Sequence, residues 1–89
     1  MLTVEAKPTT EGWECRVRVG NGASARSHTV RVGTGDLDRL GRPGETPEQL
    51  VSRAFEFLLA RETASQILSS FALADISRYF PDFEREISA

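Results

Sequence analysis

The sequence predicts an α+β fold, a three-stranded antiparallel meander followed by one long helix and two or three short helices packed on one face. Three observations predict it. Apolar and polar residues alternate through the first third of the chain, as half-buried strands require. Residues 46–62, TPEQLVSRAFEFLLARE, carry a helical apolar arc. All five phenylalanines lie between positions 55 and 83, where they supply the core that the inner sheet face packs against.

In the first strand Leu2, Val4 and Ala6 alternate with Thr3, Glu5 and Lys7. Residues 8–12, Pro-Thr-Thr-Glu-Gly, read as a turn. In the second strand Trp13, Cys15, Val17 and Val19 point inward, and Glu14, Arg16 and Arg18 outward. Asn21-Gly22 is a two-residue hairpin signal, and residues 24–32 read as the third strand, with Val30 and Val32 inward. This turn places Cys15 directly opposite His28. Two registers are open for the first hairpin, and a one-residue slip is excluded because it would invert the faces. One sets Glu5 against Glu14. The other sets Glu5 against Arg16 and Lys7 against Glu14, and its charges favour it; it needs a longer loop from Pro8 to Trp13.

Residues 33–45 hold four glycines and Pro43 and form a polar connection, with a helical turn at 36–40. The main helix opens on a Thr46-x-x-Gln49 capping box with Pro47 at the first helical position. Leu50, Val51, Ala54, Phe55, Phe57, Leu58 and Leu59 cover about half its circumference. Gln49, Ser52, Arg53 and Glu56 fall opposite. A second capping box, Thr63 to Gln66, opens a short helix through Ile67 and Leu68. Phe71, Leu73, Ile76, Tyr79 and Phe80 keep helical spacing until Pro81 interrupts it. The whole reads as one domain, 1–89: sheet 2–33, connection 34–45, main helix 46–62 and short C-terminal helices 63–88.

The segment around Phe55, Phe57, Leu58, Leu59, Arg61 and Glu62, with the later Ile67, Leu68, Phe71, Leu73 and Ile76-x-x-Tyr79-Phe80-Pro81, resembles a group of small uncharacterised bacterial proteins. They share a Phe-x-Phe-Leu-Leu-x-Arg-Glu helix and an Ile-x-x-Tyr-Phe-Pro ending. The resemblance covers most of the chain. It implies a bacterial protein and a shared fold, and carries no activity or site with it.

Composition narrows the function classes. The net charge of −2 gives no general attraction to nucleic acid or anionic membrane. One cysteine excludes an internal disulfide and a cysteine-based zinc cluster, so a reducing cytoplasm is expected. No apolar run approaches membrane-spanning length, and no signal peptide is visible. Gly33-Thr34-Gly35 follows a strand, but Asp38 stands where a dinucleotide fingerprint needs glycine. The run from Asp36 starts like a calcium loop, yet Leu40 and Pro47 occupy ligand positions; an Asp-capped turn explains it.

No cofactor and no metal are therefore expected. Three functional readings remain. The first is a non-catalytic protein-interaction or accessory module. Its partner is a protein, including a second copy of the chain. It docks either on an exposed sheet edge by strand addition or on the acidic C-terminal helices. Separately, Arg61, Glu62 and His28 are candidates for a partly buried polar site at the end of the main helix; in the blander reading Arg61 and Glu62 sit past the core edge and Arg61 meets the helix dipole. The alternative is a nucleic-acid-binding regulator using outward Arg16, Arg18 and Arg31, on a face without aromatics for base stacking. The third is an enzyme using a Cys15–His28 pair, against which stands the ordinary role of a buried cysteine as a small hydrophobe.

Overall fold

A computed structural model describes residues 2–88; Met1 and Ala89, the outer ends of the expected domain, lie outside the described residues. The chain is α+β. Strands β1 (Leu2–Thr9), β2 (Gly12–Val19) and β3 (Arg26–Gly33) form the expected antiparallel meander. They are followed by helices α1 (Thr34–Leu40) and α2 (Pro47–Leu59). A fourth strand, β4 (Ser70–Ala72), then pairs parallel to β3, and α3 (Ile76–Tyr79) and α4 (Phe83–Ile87) close the chain. The sheet is therefore mixed and four-stranded, in the order β1-β2-β3-β4, rather than a pure three-stranded meander. No helix among the described residues is long and apolar enough to cross a membrane.

The first hairpin takes the charge-favoured register, with Glu5 across from Arg16 and Lys7 across from Glu14. The expected long loop is absent. Pairing continues to Thr9 and Gly12, leaving a two-residue turn at Thr10 and Glu11. Gly12, the first residue of β2, lets β3 approach closely. Its φ is +150°, and a Cβ there would stand 2.1 Å from the Val32 carbonyl oxygen.

The second hairpin corrects the expectation. Asn21-Gly22 is not a two-residue turn; a 3-10 turn at Gly22–Ser24 widens the connection, and β3 starts at Arg26. Register shifts by two residues, so face parity survives but partners change. Cys15 faces Val30, and His28 faces Val17.

α2 carries the capping box read from the sequence: Thr46 N–H donates to Gln49 Oε1 at 3.0 Å, and Gln49 N–H to Thr46 Oγ1 at 3.2 Å. Leu50, Val51, Ala54, Phe55, Phe57 and Leu58 bury its apolar arc against the inner sheet residues Cys15, Val17, Val30 and Val32. Phe71, Phe83 and Ile87 complete the core from the C-terminal segment. The helix ends at Leu59, before Arg61 and Glu62.

Arg53 departs from the solvent-facing position expected of it. It crosses between segments, donating to both Glu45 carboxylate oxygens at 2.7 and 2.6 Å, to the Leu40 carbonyl at 3.4 Å and to the Ile87 carbonyl. One guanidinium thus ties the end of α1, the loop before α2 and the end of α4.

Candidate docking cleft

The segment after α2 builds an apolar concavity. Thr63 N–H donates to Gln66 Oε1 at 2.9 Å, but the box closes only a 3-10 turn at Ala64–Gln66 rather than a helix through Leu68. The chain is extended by Ile67, and Thr29 N–H captures the Ser69 carbonyl at 2.7 Å, bringing β4 alongside β3. Between this extended run, the end of α2 and α3 lies a cleft of about 160 Å³. Leu58, Ile67, Phe71, Ile76 and Phe80 supply its apolar lining, and Glu62, Gln66, Leu68, Asp75 and Tyr79 also border it. Leu68 is 54% exposed and Tyr79 66%; they are the two exposed large hydrophobic residues among those described.

The three residues of the expected polar site take different positions. Glu62 borders the cleft. Arg61 turns elsewhere: its guanidinium lies 3.7 Å over the Phe57 ring, donates to the Phe57 carbonyl at 3.1 Å and approaches Glu86 at 3.4 Å. It thereby answers the C-terminal carbonyls of α2. His28 is buried on the inner sheet face, 5.3 Å from Phe55 between ring centroids. Its Nδ1 lies 2.8 Å from the Leu68 carbonyl oxygen. A carbonyl only accepts, so Nδ1 carries a proton; Nε2 has no hydrogen-bond partner among the described residues. His28 therefore does not line the cleft; it holds the backbone of a residue that does.

Cys15 is fully buried. Burial, and secondarily the Glu48 charge, push its thiol up to about 11, so it is protonated at neutral pH. A nucleophilic cysteine needs the opposite shift, and the register no longer sets His28 across from it.

The outward arginines are interleaved with other side chains. Across the sheet the rows run Lys7–Glu14–Arg31, Glu5–Arg16–Thr29 and Thr3–Arg18–Ser27. Arg18 donates to the Gly22 carbonyl at 3.4 Å and Arg31 to Ser70 Oγ at 3.3 Å. Glu5 lies in register with Arg16 without closing a direct ion pair. Asp36, the first residue of the calcium-like run, instead accepts from Gly33 N–H at 2.9 Å and pairs with Arg39 at 3.2 Å. Among the described residues no group of three or more His, Cys, Asp or Glu is placed to hold a metal.

The free sheet edge at β1 is the other surface to weigh. The two-residue turn makes Thr9–Gly12 a hydrogen-bonded pair, so the backbone of Leu2, Val4, Ala6 and Pro8 faces outward. Pro8 has no N–H to offer and Lys7 sits beside it, both devices that blunt an edge.

The cleft escaped sequence reading because its lining comes from three separated segments and depends on β4. Its signal was the Ser69-Ser70 pair before Phe71, which breaks a helical pattern that otherwise looks continuous.

These features define a small α+β domain with helices on one sheet face and an apolar cleft at the C-terminal end of its main helix. Comparison with protein-family models, curated proteins and solved structures finds no match to this chain.

Proposed function

We propose that this chain is a non-catalytic protein-interaction or accessory module of the bacterial cytoplasm, and that the cleft is its docking site. The observation that supports the reading most is that the exposed Leu68 and Tyr79 border the same concavity. Scattered exposed hydrophobics are ordinary; a pair framing an apolar cleft is the pattern of a binding surface. Fully burying a large apolar side chain is worth about 1.5–3 kcal/mol; Leu68 and Tyr79, already partly covered, leave roughly half of that each to a partner. The buried, protonated Cys15 and the blunted β1 edge favour this surface over the catalytic and strand-addition readings.

The test recovers the tagged chain from its host beside a Leu68→Ser/Tyr79→Ser variant, with and without nuclease. A protein partner retained after nuclease and lost with the variant is expected. Recovery indifferent to the variant refutes the cleft. A partner lost on nuclease treatment transfers the argument to Arg16, Arg18 and Arg31.

A further inference from the structure

We propose that the cleft selects a protein segment in which one bulky apolar side chain stands next to a lysine or arginine. This rests on the docking reading above and adds the chemistry of the partner.

The size of the cleft sets the anchor. At about 160 Å³ it resembles an engineered cavity of about 150 Å³ that admits one benzene. It therefore takes one aromatic or branched aliphatic side chain. The apolar lining of Leu58, Ile67, Phe71 and Phe80 has no use for a polar one.

Its charges set the neighbour. Glu62 and Asp75 are the ionisable carboxylates on the cleft. Glu62 makes no ion pair among the described residues. Asp75 accepts from Ala72 N–H at 3.2 Å, and its cationic neighbour, Arg78, is 4.0 Å away with a side chain 81% exposed. Arg61, next to Glu62 in sequence, is held over Phe57 instead. The mouth is thus acidic, while the exposed Tyr79 ring offers a face for a cation. A cation beside the anchor meets both features, whereas an acidic neighbour meets like charge, and that difference makes the site selective.

The backbone favours an extended segment. Ser69 gives its carbonyl to Thr29 on β3, so Ser70 presents its N–H and C=O on the opposite, outer side of β4. A peptide whose anchor fills the cleft can bond there.

Random peptide display on the immobilised full chain, counter-selected on the Leu68→Ser/Tyr79→Ser variant, tests this. The retained peptides are expected to share a bulky apolar residue adjacent to Lys or Arg. A representative peptide should lose about two- to fivefold in affinity on Glu62→Gln, more on Glu62→Lys, and should weaken with added salt. Retained peptides without a basic residue, or affinity unmoved by both Glu62 variants, overturn the cationic preference and leave the docking reading standing. Failure to find any peptide that separates the chain from its double variant overturns both.

Discussion

Arg53→Ala provides a sharp energetic test, because the chain contains its own control. Arg53–Glu45 and Arg39–Glu84 are both ion pairs with a 2.6 Å contact. Distance therefore predicts equal contributions. Burial predicts otherwise: the side chains of Arg53 and Glu45 are 17% and 8% exposed, those of Arg39 and Glu84 44% and 43%. An exposed pair is worth about 0–1 kcal/mol. Removing one member of a buried pair costs about 3–5 kcal/mol, because the other charge is stranded. Arg53 is slightly exposed, but its loss also frees the Leu40 and Ile87 carbonyls, which sets the expected cost at about 2–4 kcal/mol. A domain of this size holds roughly 5–10 kcal/mol in all. Urea unfolding followed through Trp13 fluorescence should show a midpoint lowered by more than about 1 M for Arg53→Ala. Arg39→Ala should lower it by much less. Equal shifts for the two variants would refute the argument that burial, not distance, decides.

The Arg53 guanidinium, aided by the Arg42 N–H, holds the Glu45 carboxyl below its usual range. A depressed folded value adds stability above the ordinary glutamate value of about 4.3, lost as pH falls through the folded one; Glu45→Gln should flatten that acid dependence in urea titrations below pH 4.3. Cys15 should react slowly with a thiol reagent near neutral pH and quickly once unfolded, and fast labelling of the folded chain would revive a reactive thiol. Phe55→Ala should cost about 2–5 kcal/mol, seen as a urea midpoint far below that of Glu56→Ala; equal midpoints would contradict the fully buried position of Phe55.

Local rules made much of the fold legible. Period-two alternation put Cys15, Val17, Val30 and Val32 on one face, and the capping box located the start of α2 within a residue. Cross-strand charge picked the right register for β1. What failed was what local rules do not encode. Asn21-Gly22 matches a tight turn, yet the chain spends six residues between β2 and β3; the register shifted by two, and parity hid the change. β4 is three residues long, below the length at which alternation can be told from helical spacing, and it exists because β3 offers an edge. Arg53 was assigned to solvent by its angular position on the helix. A helix wheel does not know that the loop before it and the last helix after it come back to that face. Of the expected polar trio, position along the chain suggested one site, but Arg61 and Glu62 are successive residues past the helix end and diverge.

The cleft and the sheet are joined through His28. Among the described residues His28 is the buried polar side chain of the inner sheet face, and its hydrogen-bond partner is the Leu68 carbonyl, forty residues on. A leucine at 28 would pack against Phe55 as well, but it would leave the Leu68 carbonyl without a donor, at a cost of about 1–3 kcal/mol if that group stays buried. The imidazole instead holds the backbone of Leu68 while the residue as a whole remains 54% exposed. Under the docking reading proposed above, that combination presents Leu68 to a partner. Backbone order removes the entropy a partner would otherwise have to remove on docking, and the exposed side chain keeps its apolar surface for the contact. Thr29, the next residue in β3, does the same to the Ser69 carbonyl. Two successive sheet residues thus tie the cleft's wall to β3, one by its side chain and one by its backbone.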